Sequence, residues 1–353
     1  MRHIFVDTER IRDLNSGLGQ TCLHVGQELV RQQPAGTSLT FLVPPGQTGV
    51  FGEPSGTLQY REAGWQHKLY NPGRFGVWHN LHQDGAYWPT HRPEKVILTI
   101  NDLNFLERTD YSEAKKKRKL ATLQRRIDRA QILTTISDYT GTVVRNHLNV
   151  PEATTLKTVY IGASELPAPP VEVPVALAGL DKPFFLYLGV LHPKKNIHVL
   201  LAIAQAFPDY MLVLAGRNDH PYAHYLIDQV SQLGITDNVR QTGPVDELTK
   251  SWLYAHCEAF LFPSLSEGFG LPVVEAMSAG KPVFLSQLTS LPEIGGQEAF
   301  YFDSFEPESV VETLRAGMRD YYDDPLKAQR LQWQARRFRW ENTAKQYWKL
   351  YLE

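Results

Sequence analysis

The sequence predicts an α/β protein built as two units, on three observations. The chain has 353 residues, an ordinary length for two domains. Short apolar runs recur along it, among them Ile4 to Val6, Val96 to Ile100, Phe184 to Leu188 and Ala259 to Phe262. Each has the length of a strand buried on both faces, and helical stretches alternate with them. A stretch holding Pro167, Pro169, Pro170 and Pro174 interrupts this alternation near the middle.

Composition narrows the class. At 42% hydrophobic and 21% charged, the chain buries real cores and is not disordered. No apolar run approaches the length of a membrane-spanning helix. Met1 to Asp7 reads as a first strand rather than a signal peptide. Cys22 and Cys257 lie far apart and imply no disulfide framework, so a cytoplasmic location is expected. The net charge of −2 is uneven. Residues 1–165 carry 20 Lys/Arg against 16 Asp/Glu, and the rest 16 against 22. A mildly basic first part suits a phosphorylated acceptor or an anionic lipid surface, and is too weakly basic for nucleic acid.

In the first unit, Ile4 to Val6 is a strand, and Ser16-Gly17-Leu18-Gly19-Gln20 is a glycine loop leading into a helix that ends near Arg31. Gly17 and Gly19 would let the backbone approach a phosphate or sugar, although Cys22 stands where a dinucleotide fingerprint needs glycine or alanine. Leu39 to Val43 is a second strand, and residues 44–76 read as an extended loop with short strands. Trp78, His79, His82 and Trp88 are candidates for lining a sugar pocket, since aromatic faces stack on sugars and His supplies hydrogen bonds. No third ligand of suitable spacing makes the two histidines a metal site. Val96 to Ile100 is a strand ending in Asn101-Asp102. Residues 112–130 form a basic helix with Leu120, Leu123 and Ile127 on one face, either a solvated surface or a contact with anionic membrane or acceptor. Ile132 to Ile136 and Thr158 to Ile161 are further strands.

The second unit opens with Phe184 to Leu188 and the loop Gly189-Val190-Leu191-His192-Pro193-Lys194-Lys195-Asn196. Met211 to Ala215 follows, with Gly216-Arg217 at its carboxyl end, where ligands of parallel sheets gather. The organising stretch runs from Ala259 through Glu267-Gly268-Phe269-Gly270-Leu271-Pro272-Val273-Val274-Glu275 to Gly280. It reads as strand, glycine loop and helix. Such a helix start presents free N–H groups to an anion, and two flanking carboxylates would accept hydrogen bonds from sugar hydroxyls. A diphosphate between a ribose and a hexose satisfies all of these groups.

This stretch resembles the E-x7-E motif of glycosyltransferase family 4, retaining enzymes of the GT-B fold. The likeness continues through Ala276 to Val283 and Ser290-Leu291-Pro292-Glu293. It implies two Rossmann-like domains facing across a cleft: residues 1–165 on the acceptor side, a linker 166–181, a nucleotide-sugar domain 182–335, and a terminal helix 336–353 crossing back to the first domain. It implies donor binding by Glu275 on the ribose, by Gly189, Arg217 and the backbone of Phe269, Gly270 and Leu271, and by Gly19 from the first domain. Glu267 would bind the hexose, Lys195 the diphosphate, and Asn101 would stand beside the reacting sugar. Gly17, His82 and Trp78 fall on the acceptor side. Three departures stand out: Asn101 where the family carries His, Val190 where it carries Arg, and Ile161 where it often carries Asn. They leave open a catalytically impaired sugar-nucleotide or glycan-binding protein. The chain contains no Asp-x-Asp, so no metal or other cofactor is expected. The general look resembles bacterial mannosyl- and hexosyltransferases of surface-polysaccharide assembly, favouring GDP-mannose, then UDP-hexoses, with a glycan or lipid-linked acceptor.

Overall fold

A computed structural model describes every residue except Asn15, Pro72 and Thr109. The chain forms two compact units, residues 1–162 with 339–353 and residues 163–338.

Among the described residues the first unit has seven parallel strands: β1 (Arg2–Asp7), β2 (Thr37–Val43), β3 (Leu58–Glu62), β4 (Val77–Asn80), β5 (Lys95–Ile100), β6 (Ile132–Thr135) and β7 (Thr155–Thr158). Their order is β3-β2-β1-β4-β5-β6-β7. The second has six: β8 (Phe184–Leu188), β9 (Met211–Ala215), β10 (Val239–Gly243), β11 (Ala259–Phe262), β12 (Val283–Ser286) and β13 (Phe300–Phe302), ordered β10-β9-β8-β11-β12-β13. The middles of the central strands are buried on both faces; Ile4, Phe5, Val6, Phe260 and Leu261 have no exposed surface. In both sheets the order reverses beside the first strand. A crevice opens at such a switch point, outside the carboxyl ends of β1 and β4 and of β8 and β11.

The terminal helix Trp340–Leu352 belongs to the first unit. Trp348 Nε1 donates to Leu29 O at 3.1 Å, and Lys95 Nζ to Leu350 O at 2.8 Å. His79 is locked beneath it, with Nδ1 2.6 Å from Tyr351 Oη and Nε2 2.8 Å from Thr99 Oγ1. Without room for a hydration shell, burial drives its pKa down to about 3 and the ring is neutral.

Several local expectations are corrected. Ser16-Gly17-Leu18-Gly19 is not a loop. Ser16 caps the helix Gly17–Arg31, its Oγ accepting Gly19 N–H at 3.1 Å, so both glycines sit in the first turn. Gly19 is required there for another reason: a Cβ would lie 2.0 Å from Asp13 O. The last strand of the first sheet lies at Thr155–Thr158, ahead of the apolar run Thr158 to Ile161. As an edge strand it needs no continuous apolar sequence. Residues 166–181, read from their prolines as a linker, are fastened to the second unit. Ser251 Oγ donates to Pro167 O at 2.5 Å, and the Arg240 guanidinium donates to Ala176 O and Ala178 O at 2.9 Å each. Among the described residues no helix is long and apolar enough to cross a membrane.

Candidate active site

In the second unit the chemistry collects at the carboxyl ends of β8, β9 and β11. Gly189 and Gly216 let two loops meet there, since a Cβ on Gly216 would lie 2.2 Å from Gly189 O. After β11 the backbone is pinned residue by residue. Leu265 N–H donates to Lys194 O at 2.8 Å, Ser286 Oγ to Ser264 O at 2.5 Å, and Glu267 N–H to Thr289 Oγ1 at 3.1 Å. Ser290 Oγ lies 2.8 Å from Phe269 O and 3.1 Å from Glu267 O. Gly270 then turns at φ +110°, a left-handed value that suits glycine, and opens the helix Leu271–Ser278 with Pro272 in its first turn. A Cβ on Gly270 would also press on Leu291 Cδ2 at 2.9 Å.

This loop delivers Glu267 to Lys195, with which it forms an ion pair. Both side chains are largely buried, and the ammonium lies 5.3 Å above the Phe262 ring. A cation and a carboxylate in contact beside a helix N-terminus can address a phosphate and an adjoining sugar together. One turn into the helix Glu275 makes a second pair. Its Oε1 accepts from Lys250 Nζ at 3.1 Å and its Oε2 from Tyr254 Oη at 2.9 Å. Burial raises the Glu275 carboxyl above its usual range, and Lys250 and Tyr254 offset part of that rise. Burial also works against the Lys250 ammonium, but Glu275 and Glu247 outweigh it and its pKa is raised.

Residue by residue, the structure gathers Lys195 and Glu267, and places Gly189, Gly270, Leu271 and Glu275 on the same loops and helix. The Phe269 side chain is core, buried edge-on against Phe338, so only its backbone can serve a ligand. Arg217 lies at the end of β9 but is exposed and paired with Asp219 at 3.0 Å. Sequence reasoning missed Lys250, Tyr254, Thr289 and Ser290. The signal for the last lay within the matched Ser290-Leu291-Pro292 stretch. Nothing local to Lys250 or Tyr254 announces them, because the helix Glu247–His256 that carries them meets Glu275 only in the fold.

The first unit has a small cavity of about 90 Å³ at the ends of β1 and β4, lined by Asp7, Arg10, His82, Gly85 and Tyr87, with Glu9, Arg12, Lys68, Ala86 and Asp84 around them. Asp7 Oδ1 accepts Glu9 N–H at 3.1 Å, and a Cβ on Gly85 would crowd Asp7 Oδ2 at 3.0 Å. Burial pushes the Asp7 carboxyl up to about 7. Burial, with Arg10 adding to it, lowers His82 to about 4. Asp84 N–H donates to His82 Nδ1 at 3.0 Å, so the neutral ring carries its proton on Nε2. Asp7 was not anticipated, its residue type being read only as the end of a strand.

Two first-unit expectations fail. Trp78 lines no pocket: it is fully buried, stacked on Phe5 with centroids 3.8 Å apart, and its Nε1 donates to Asn80 Oδ1 at 3.1 Å. In a strand covered on both faces, alternation gives every side chain a core partner. Asn101 is buried scaffold. Its Nδ2 donates to Leu81 O and its N–H to Gln83 Oε1, both at 3.0 Å, tying the ends of β4 and β5 together.

Comparison with known proteins decides what this assembly is. The family described as Glycosyl transferases group 1 matches residues 173–338, nearly the whole second unit. O-antigen chain mannosyltransferase B of Escherichia coli is 29% identical over 276 residues, 75% of this chain and 72% of that protein. Serotype-specific mannosyltransferase WbdA of Escherichia coli is 32% identical over 47% of this chain, which spans only 21% of that longer relative. Among solved structures, sucrose-phosphate synthase from Thermosynechococcus elongatus superposes with a TM-score of 0.73 at 18% identity, covering 99% of this chain and 98% of that one. HepE from Anabaena, in complex with UDP and glucose, gives 0.71 at 16% identity over 99% of both chains. This chain is a glycosyltransferase of the GT-B fold. Its resemblance is to bacterial mannosyltransferases, and its E-x7-E glutamates, Glu267 and Glu275, lie inside the matched region.

Proposed function

We propose that the glycosyltransferase moves a hexose, mannose by preference, from a nucleoside diphosphate to a glycan or lipid-linked glycan, with retention at the anomeric carbon. The observation that carries this reading is the Lys195–Glu267 pair at the start of the Gly270 helix. Lys195 neutralises the diphosphate as it leaves, and Glu267 accepts hydrogen bonds from hexose hydroxyls beside the reacting carbon. The Leu271 N–H, at the open end of its helix, adds a donor, while Glu275 holds the ribose. Lys195 thus supplies the charge that a divalent cation would otherwise bring, and we expect turnover without added metal.

GDP-mannose is the favoured donor and UDP-hexoses come next. The relatives named as mannosyltransferases support the first, and HepE, solved with UDP and glucose, keeps the second in play. The acceptor falls to the first unit, whose Asp7–His82 cavity offers a carboxyl acceptor and an imidazole donor to sugar hydroxyls. The basic helix, Glu113–Ile127 in the structure, is committed on part of its surface: Lys116 pairs with Glu113, and Lys119 and Arg126 both approach Asp84 at 3.7 Å. Its exposed Lys117, Arg118, Arg125 and neighbouring Arg129 remain for an anionic membrane at the cytoplasmic face.

The test is turnover. Purified protein is incubated with GDP-, UDP-, ADP- and dTDP-sugars without metal, and nucleotide release is measured for wild type and Glu267→Gln. One donor should be consumed, and the variant should lose on the order of 10² to 10³ in rate. Equal rates in both proteins would remove Glu267 from the chemistry. Binding without turnover of any donor would favour the second reading, a sugar-nucleotide-binding protein, to which the buried scaffold role of Asn101 lends support.

A further inference from the structure

Glu275 does not wait in isolation for a ribose. Lys250 meets it at 3.1 Å and Glu247 at 2.8 Å. An ammonium has three N–H donors, and among the described residues no third partner takes the last one. A carboxylate accepts about four hydrogen bonds, and Lys250 and Tyr254 use two. The pair therefore presents one spare donor beside spare acceptor positions. Both side chains are mostly buried but not sealed, at 15% and 13% exposed.

That combination matches a cis-diol, whose neighbouring hydroxyls can donate at one oxygen and accept at the other. Resting on the reading above that Glu275 holds the donor's ribose, we propose that Lys250 is a second ribose ligand and makes the site selective for ribonucleoside over 2′-deoxyribonucleoside diphosphates. One hydroxyl donates to Glu275 while its neighbour accepts from Lys250. Glu247, at the solvent edge, holds Lys250 in place from the same helix, and Tyr254 fixes the other carboxylate oxygen. A deoxyribose leaves one of these groups desolvated and unpaired, a loss that binding cannot recover. The discrimination comes from charge placed by the fold rather than from the glutamate alone.

The experiment is calorimetric titration of GDP, 2′-deoxy-GDP, UDP and 2′-deoxy-UDP into wild type, Lys250→Met, Lys250→Gln and Glu275→Ala, with melting curves to confirm folding. Wild type should bind the better ribonucleotide about tenfold to a hundredfold more tightly than its 2′-deoxy analogue. Lys250→Met should weaken ribonucleotide binding and reduce that ratio to a few-fold. Lys250→Gln, which keeps a neutral donor, should fall between. A purely structural role for Lys250 predicts that ribo and deoxy forms weaken equally, with the ratio unchanged, and that result overturns the proposal. So does a wild-type ratio near one, which can be read even if neither Lys250 variant folds. If Glu275→Ala still abolishes binding in either case, the ribose role of Glu275 stands and only Lys250 is excluded. If wild type binds no nucleotide, or Glu275→Ala binds as wild type does, the parent reading falls and takes this one with it.

Discussion

The two sheets end in opposite electrostatic arrangements. At the rim of the second, each functional carboxylate has its own lysine, Lys195 for Glu267 and Lys250 for Glu275. At the rim of the first, Asp7 is buried and, among the described residues, makes no ion pair. A lysine beside a buried carboxylate offsets part of the cost of burying its charge and fixes its position. An unpaired buried carboxylate is held near neutrality and costs stability whenever it ionises. Under the proposed function, the difference suits a rigid donor site and an acceptor site that takes its last partner from the substrate.

The largest effect expected from breaking this contrast is at Trp78. If it is core, as its stacking on Phe5 indicates, Trp78→Ala loses about 3–5 kcal/mol of unfolding free energy in denaturant titration. A folded, stable variant with weakened acceptor binding alone would return Trp78 to the acceptor site.

Asp7→Asn comes next and sharpens the contrast directly. The folded pKa of about 7 lies above the ordinary carboxyl value of 3.8, so the folded chain holds this proton more tightly than the unfolded one. The contribution of Asp7 is therefore most favourable below about pH 4 and falls as pH rises through 7. Asparagine keeps an oxygen for Glu9 N–H and has no charge to lose. The variant should be more stable than wild type by about 2–4 kcal/mol at pH 8, and the gain should vanish near pH 4. His79 and His82, depressed from 6.5 to about 3 and 4, act the other way, losing stability as pH falls, but are common to both proteins. A pH-independent difference would refute the buried-carboxyl account. Smaller still is Gly270→Ala, which forces a side chain into the left-handed region against Leu291 and should cost about 1–3 kcal/mol.

How far the sequence discloses this molecule follows the same division. In the second unit strand, glycine turn, helix and both glutamates are consecutive, so local rules locate the site and its residue types. In the first, the same G-x-G spacing at Gly17 and Gly19 misleads. Its backbone is an ordinary helix start capped by Ser16, and Gly19 is there because the Asp13 carbonyl packs against it. The partners of the glutamates and the carboxyl of Asp7 were illegible for a related reason. Lys250 lies 25 residues from Glu275, and burial, which sets the behaviour of Asp7, belongs to the packed sheet rather than to its neighbours in sequence.

The central claim is that the loop and helix around Glu267 and Glu275 form a sugar-nucleotide site. It is tested most directly by titrating GDP-mannose and UDP-glucose into wild type and Glu275→Ala without metal. Wild type should bind at least one of them, and Glu275→Ala should lose about tenfold to a hundredfold in affinity while still melting as a folded protein. Unchanged affinity in a folded Glu275→Ala variant would contradict the account.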